Sequence, residues 1–204
     1  MKNWKYILLS VILFPLVGMV SSCSEDTTEE DEFGNWEQKN EAVITEWAKN
    51  TSYQKILTYT KDATAQGLTN SDYIYVEVLE EGEGTESPLY TDTCRVAYRG
   101  HYIPTTSYPE GLVFAQTYTQ KDFSWDRANT ADDQSWVDGF STALQHMHIG
   151  DRWRVRIPYT LGYGASGSNS IPGYTNLVYE IALYDFWHPG EKRQPMKSRV
   201  IDIE

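Results

Sequence analysis

The sequence predicts an α+β domain in which an antiparallel sheet packs around one short helix. Several segments alternate apolar and polar residues with the period of two that β-strands show. A single later segment, Val137 to Met147, places its apolar residues at helical spacing. Aromatic residues make up 14% of the chain and are spread over the strands and loops, so the space between sheet and helix should be rich in rings. Sheet and helix therefore form two layers around one core.

The first 22 residues have the layout of a secretory signal. Lys2 and Lys5 precede an apolar run that is shorter than the roughly 20 residues of a spanning helix and that contains Pro15. Val20-Ser-Ser-Cys23 resembles the bacterial lipobox, in which the cysteine becomes the acylated first residue of the mature protein. We therefore expect a lipid anchor on Cys23 and a location in the cell envelope, at the outer membrane, facing either the periplasm or the surface.

Residues 23–32 form an acidic tether, which resembles the stretch after the lipid cysteine in surface lipoproteins of the Bacteroidetes type. The run is too poor in apolar residues to fold on its own. The net charge of −12 argues against nucleic-acid binding, which needs a basic surface. Cys94 is the other cysteine of the chain and is interpreted as a small buried residue of a strand.

Residues 33–70 are predicted to be a helical extension. Apolar residues recur every three or four positions from Phe33 to Thr60, and Asn50-Thr-Ser52 is expected to divide the region into two helices. The aromatic stripe of this extension is expected to pack on the following domain or on a second copy of the chain. A homodimer through the extension, or another partner on the same face, stays open.

The strands are predicted from alternation and from β-branched and aromatic content. They are Tyr73–Leu79, Thr93–Ile103, Leu112–Thr117, Asp122–Asp126, Arg152–Pro158 and Leu177–Phe186. The residues from Arg127 to Gln134 are interpreted as a polar loop, and Val137 to Met147 as a helix of about three turns. These elements define a domain at residues 71–188, followed by a polar tail at 189–204.

Few classes of catalytic site fit the sequence. His146 and His148 lie two residues apart at a helix end, so they face apart, and no cluster of further ligands accompanies them. No nucleophile elbow of the GxSxG type is present. A pair of carboxylates acting together stays open, although the acidic residues concentrate in the tether and the turns. We expect neither a metal nor a cofactor.

The order of short motifs along residues 73–187 resembles the FK506-binding-protein (FKBP) type of peptidyl-prolyl cis-trans isomerase. The matching pieces are Val96–Gly100, Gly111–Phe114, Phe123, Trp136–Phe140, Ala143–Met147, Gly150–Trp153, Ile157-Pro158, Gly162–Ala165, Ile171-Pro172 and Asn176–Tyr179. The resemblance implies an FKBP-like antiparallel twisted sheet wrapped around one short helix, with the helical extension on its N-terminal side. It also implies that proline-containing polypeptides are the binding partners.

The resemblance also implies the residues of an aromatic pocket. The catalytic positions are Tyr98, Phe114, Phe123, Phe140, Tyr163 and Tyr179, and the substrate-binding positions are Trp136, Val137, Ile171, Trp125 and Ala115. Phe140 stands where the family usually has the tryptophan of the pocket floor. The backbone N–H of Val137 and the hydroxyl of Tyr163 match two donors to a bound ligand. Ala115 replaces an aspartate whose carboxylate usually lines the site.

Three functions are compatible with these observations. The resemblance favours an isomerase of X-Pro bonds in exported proteins, because twisting an amide in a dry aromatic pocket needs no acid, base or metal. Ala115 instead favours a non-catalytic FKBP-like module that binds peptides or acts as a chaperone. A structural or glycan-binding surface lipoprotein stays open, because aromatic clefts also stack on sugars.

Overall fold

The computed structural model describes residues 32–117, 129–132 and 136–192. Their helices are α1 (Trp36–Lys49) and α2 (Asp138–Leu144). Their strands are β1 (Gln54–Leu57), β2 (Tyr73–Glu80), β3 (Thr93–Tyr102), β4 (Val113–Gln116), β5 (Asn129–Asp132), β6 (Arg152–Ile157) and β7 (Leu177–Trp187). Two 3-10 turns, at Asn70–Asp72 and Tyr159–Leu161, lie before β2 and after β6.

The strands form one antiparallel sheet in the order β1-β2-β6-β7-β3-β4. The first half of β3 also pairs with β5, so β4 and β5 share the same edge of β3. Two of the pairings join strands that are distant in sequence: β2 pairs with β6, and β3 pairs with β7 over ten positions. The predicted antiparallel α+β fold is confirmed.

Helix α2 lies on the inner face of this sheet. All six residues from Gly139 to Leu144 are buried, and they pack against alternate residues of β2, β3, β6 and β7. Gly139 permits the close approach, because a Cβ there would lie 2.3 Å from Cγ2 of Ile157. Cys94 is fully buried in this core, as predicted.

Helix α1 packs near one end of the sheet, where it covers outer-face residues that alternate with those touching α2. Its buried residues are Trp36, Asn40, Ile44 and Trp47, at the spacing of one helical stripe. They meet Tyr75 of β2, Val178 of β7 and the end of β3 at Tyr102. The aromatic stripe predicted for the extension therefore packs on the chain's own domain.

Three local predictions were wrong. The second helix of the extension is instead β1, because Gln54–Leu57 lies beside β2 and pairs with it over four positions. A short strand, β5, occupies part of the predicted loop after Arg127, since pairing with β3 compensates for its polar sequence. Helix α2 ends at Leu144, although Met147 beyond it is fully buried.

Several predictions fall on residues that the structure does not describe. They concern the signal at residues 1–22, Cys23, the tether up to residue 31, the strand at 122–126 and the tail from residue 193. Within the described ranges, none of the helices is both long enough and apolar enough to span a membrane. Glu32, the last tether residue, accepts hydrogen bonds from the backbone N–H and the hydroxyl of Ser107 at 3.0 and 2.8 Å.

Candidate functional site

Five aromatic side chains from separate elements converge on the inner face of the sheet beside α2. They are Tyr98 of β3, Phe114 of β4, Trp136 and Phe140 at the start of α2, and Tyr179 of β7. Edge-to-face contacts join them: the ring centroids are 5.7 Å apart for Tyr98 and Phe140, 5.1 Å for Phe140 and Tyr179, and 5.5 Å for Phe114 and Tyr179. The structure thus brings together five of the predicted site residues.

Gly100 makes room for this cluster. It lies near the end of β3, and a Cβ there would lie 2.6 Å from the ring of Tyr179 and 2.8 Å from that of Phe114. Any larger residue would force the two rings apart. The sequence-based site omitted Gly100, although a glycine inside a strand signals a close approach of other groups.

A bulge in β4 directs both Phe114 and Ala115 toward the site. Ala115 pairs with Gly100 and Val113 pairs with His101, so Phe114 is the extra residue of the irregularity. Ala115 faces the same side as its partner Gly100, which is the side of the aromatic cluster. The hydroxyl of Thr117, two residues on, accepts a 2.9 Å hydrogen bond from the backbone N–H of Tyr98.

Trp136 covers the predicted floor of the site. Its indole stacks on Phe140 with 4.2 Å between ring centroids and 16° between planes, and Phe140 has no exposed surface. The ring of Tyr98 closes the side of the site. It packs edge-to-face with the indole, with 5.0 Å between the ring centroids. The indole Nε1 is buried and donates to no acceptor among the described residues.

Three tyrosine hydroxyls lie within electrostatic reach of one another around the cluster. Burial raises the pKa of Tyr179, and the neighbouring hydroxyls of Tyr163 and Tyr98 raise it further. Burial likewise raises the pKa of Tyr98, with Tyr163 as the second cause. The hydroxyls of Tyr179 and Tyr98 therefore stay protonated near neutral pH and can donate hydrogen bonds.

The remaining predicted residues of the described chain lie at the edge of the cluster. Val137, Tyr163 and Ile171 are partly buried and pack against the same core. Val137 is the N-cap residue of α2, and its carbonyl accepts from the N–H groups of Phe140 and Ser141 at 2.9 and 3.0 Å. Its own N–H donates to no acceptor that the described residues provide.

Ile171 and Tyr163 belong to one loop between β6 and β7, which begins with the 3-10 turn Tyr159–Leu161. The backbone of the loop folds on itself through a bridge between Ser168 and Ile171. Gly164 and Gly167 adopt positive φ angles of 68° and 71°, which glycine allows without strain. We call residues 158–176 the rim loop.

The other predicted site residues, Phe123, Trp125 and the lipidation residue Cys23, lie outside the described residues. Within the described part of the chain, no group of three or more histidine, cysteine, aspartate or glutamate residues could hold a metal ion. The site formed by the described residues is apolar and aromatic, with hydroxyl and amide donors at its edge. Such a site can hold an apolar ring and orient the carbonyl groups beside it.

Comparison with known proteins agrees with this geometry. The sequence profile of the FKBP-type peptidyl-prolyl cis-trans isomerase family matches residues 84–184. Over 116 residues the chain is 32% identical to the macrophage infectivity potentiator of Trypanosoma cruzi, covering 56% of this chain and 54% of that protein. It is 29% identical over 127 residues to the FKBP-type 22 kDa peptidyl-prolyl cis-trans isomerase of Escherichia coli. This match covers 61% of this chain and 56% of that protein. The chain spans about half the length of these relatives.

Solved structures show the same fold. The crystal structure of FkpA from Escherichia coli is 25% identical and superposes with a TM-score of 0.56, covering 78% of this chain and 62% of that one. The crystal structure of a peptidyl-prolyl cis-trans isomerase from Pseudomonas syringae is 24% identical and superposes with a TM-score of 0.55. The match covers 76% of this chain and 95% of that one.

Proposed function

Because the chain belongs to the FKBP-type peptidyl-prolyl cis-trans isomerase family through its domain at residues 84–184, we propose that it isomerises X-Pro bonds of exported proteins. The observation that carries the proposal is the convergence of Tyr98, Phe114, Phe140 and Tyr179 on one site beside the donors of Val137 and Tyr163. Aromatic rings supply an apolar surface for a proline ring, and the donors suit the carbonyl groups next to it.

The chemistry asked of such a site is a rotation. The planar X-Pro amide resists twisting by roughly 18–20 kcal/mol because its conjugation must break. Its cis and trans forms differ by only about 0.5–1 kcal/mol, so the barrier alone has to be lowered. The twisted amide is less polar than the planar one, and an apolar site therefore favours it over the ground state.

Each group has a part in this proposal. Phe114 and Tyr179 bound the site from the sheet, and Phe140 forms its base. The N–H of Val137, which has no acceptor among the described residues, would bind a substrate carbonyl, and the Tyr163 hydroxyl would bind a second one. Both bonds would fix one side of the peptide while the other side rotates. Phe123 and Trp125, which lie outside the described residues, stay predicted members of the site.

The test is the rate of cis-to-trans conversion in a peptide with a central Leu-Pro bond. Catalysis by the purified protein is expected to fall several-fold in Tyr163→Phe, which keeps the ring and removes one donor. A matched control is Tyr174→Phe, a ring of the same loop that packs on Tyr159. A purified protein no faster than buffer contradicts the proposal.

A second function, binding without catalysis, is favoured by two observations. Phe140 is fully buried under Trp136, and Ala115 supplies no carboxylate at the edge of the site. A peptide-binding or chaperone module needs affinity for X-Pro segments but no acceleration. A calorimetric titration with the Leu-Pro peptide, run beside the rate assay, separates the two functions.

We further propose that Cys23 carries a lipid that anchors the protein at the outer membrane. The support is the lipobox-like sequence before Cys23 and the acidic tether after it. Two acyl chains would give stable anchoring, whereas one gives only marginal binding. Cys23→Ser is expected to abolish labelling by radioactive palmitate and to release the protein from the membrane fraction. Ser24→Ala is the control, and unchanged labelling in Cys23→Ser refutes the anchor.

The proposed organisation is a signal at 1–22, a tether at 23–32, an extension at 33–70, the isomerase domain at 71–188 and a tail at 189–204. A homodimer through the extension would have to use the exposed side of α1, since its apolar stripe is buried within the chain. Sedimentation of the purified protein at several concentrations decides whether such a dimer forms.

A further inference from the structure

Helix α1 is joined to the rim loop by buried hydrogen bonds rather than by apolar packing alone. The backbone N–H of Asn176 donates to the side-chain oxygen of Asn40 at 2.8 Å, and the side chain of Asn176 donates to the Asn40 carbonyl at 2.7 Å. Neither residue has any exposed surface. Burying an amide group costs free energy unless the group forms a hydrogen bond. The pairing of Asn40 with Asn176 therefore fixes the position of α1 relative to the rim loop.

A second bond lies one turn earlier on the helix. The indole Nε1 of Trp36 donates to the hydroxyl of Thr175 at 2.8 Å, and that hydroxyl donates to the carbonyl of Pro172 at 2.6 Å. The end of the rim loop next to Ile171 is therefore fixed to α1.

The other end of the rim loop is fixed to the same helix. The side-chain oxygen of Asn176 accepts a 2.9 Å hydrogen bond from the backbone N–H of Tyr159, whose hydroxyl donates to Glu41 of α1 at 2.7 Å. The Tyr159 carbonyl in turn accepts from the N–H of Gly164 at 2.8 Å. Tyr163 thus lies in a segment whose two ends are both tied to α1.

Aromatic packing connects α1 to the site by an independent route. Trp36 contacts Tyr102 with 6.4 Å between centroids, and Tyr102 stacks on Phe114 at 5.3 Å and 22°. The hydroxyl of Tyr102 donates to the carbonyl of Ser170 in the rim loop at 3.2 Å. Phe114 and Ile171 each pack against two clusters: the core between α2 and the sheet, and the cluster that Trp36, Ile44 and Trp47 of α1 form with the outer face.

We propose that α1 is a positioning element of the site: Trp36 and Asn40 hold the rim loop so that Tyr163 and Ile171 face the bound peptide. This inference rests on the proposed function for its substrate. Helix α1 lies before residue 84, outside the region that matches the family, so the family resemblance assigns it no role. When the loop is loosened, only a fraction of molecules is competent to bind, and the apparent affinity falls by that fraction.

The test compares Trp36→Phe and Asn40→Ala with Gln38→Ala, an exposed position of the same helix. Trp36→Phe keeps a ring but loses the bond to Thr175, and Asn40→Ala removes the side-chain acceptor of the Asn176 N–H. Both are expected to weaken binding of the Leu-Pro peptide about tenfold, with kcat at saturating peptide changed less than twofold. Amide hydrogen exchange should rise in residues 159–176 but not in α2.

Three outcomes overturn the inference: unchanged exchange in the rim loop, faster loop exchange with unchanged affinity, or faster exchange throughout the sheet. If Asn40→Ala does not fold, Trp36→Phe alone still tests the inference. Loop exchange and peptide affinity are measured without turnover, so they support or refute the positioning role even in a protein that binds without catalysing. Absence of both binding and catalysis in the wild type refutes the proposed function and, with it, this inference.

Discussion

The indole of Trp136 lies face to face with the ring of Phe140, 4.2 Å away, on the residue predicted to be the floor of a proline site. A stacked aromatic pair contributes about 0.5–1.5 kcal/mol beyond its buried area. A buried donor without an acceptor costs about 1–3 kcal/mol, and Nε1 of Trp136 is such a donor among the described residues. The two effects oppose each other, so stacking on Phe140 stabilises the indole little beyond the burial of its apolar area.

Trp136→Ala is therefore expected to raise the affinity for the Leu-Pro peptide about three- to tenfold, because no indole then competes with the proline ring for Phe140. Calorimetric titration measures the effect. Trp136→Phe keeps a ring over Phe140 and should bind like wild type, while gaining about 1 kcal/mol of stability from loss of the unpaired donor. Weaker binding in Trp136→Ala would make the indole a wall of the site instead of its cover.

Ala115→Asp is expected to raise kcat/KM about tenfold, since it places a carboxylate on the site face of β4 opposite Gly100. Hydrogen bonds to a charged group contribute about 1.5–3 kcal/mol, and part of that is expected in the transition state. Ala115→Asn has the same shape without the charge and should change little. Equal rates in wild type and Ala115→Asp would show that the carboxylate is dispensable.

Gly100→Ala is expected to lower the free energy of unfolding by about 1–3 kcal/mol, because the added methyl group overlaps the rings of Tyr179 and Phe114. Urea denaturation measures the loss. The double variant Gly100→Ala/Phe114→Leu frees space beside residue 100 and should regain part of it. A single variant as stable as wild type would mean that the two rings move apart at little cost.

The contact between His188 and Asp92 predicts a pH-dependent contribution to stability. Nδ1 of His188 lies 2.9 Å from the buried Asp92 carboxylate, and this hydrogen bond, followed by the charge of Asp92, raises the pKa of His188 above its ordinary value. The contact between protonated His188 and Asp92 therefore stabilises the folded state fully below about pH 6.5. This contribution is lost as the pH rises through the pKa of His188 in the folded protein.

Thermal melts of wild type and His188→Gln between pH 5.5 and 8.5 measure this contribution. The difference in melting temperature should be largest at the acidic end and should shrink toward pH 8.5. His146→Gln, at the end of α2, is the control and should leave the pH dependence intact. A difference that is constant over this range would rule out the ionic contribution.

Alternation and helical spacing predicted most of the fold correctly. They located β2, β3, β4, β6 and β7 within a few residues, because each strand buries one face and so alternates. The strands Gln54–Leu57 and Asn129–Asp132 were not predicted. A short edge strand is stabilised by hydrogen bonds to its neighbour, and these bonds require no particular pattern in its own sequence.

The site was predicted only as a set of positions. Family motifs named Tyr98, Phe140 and Tyr179, whose rings indeed meet. They could not show that Trp136 lies on Phe140, since a rotamer is chosen by three-dimensional packing. Gly100 was missed because it contributes no side chain to the site and only leaves room for the rings of Tyr179 and Phe114.

The pairing of β1 with β2 also bears on aggregation. Without residues 54–57, the first four residues of the strand Tyr73–Glu80 would present unpaired N–H and C=O groups along the edge of the sheet. Such an edge is a template for pairing with another chain. A protein trimmed to the region that matches the family would lose β1, β2 and α1 together, and one trimmed at residue 71 would expose this edge in every molecule. The short strand β1 thus replaces the first half of β2 as the edge of the sheet.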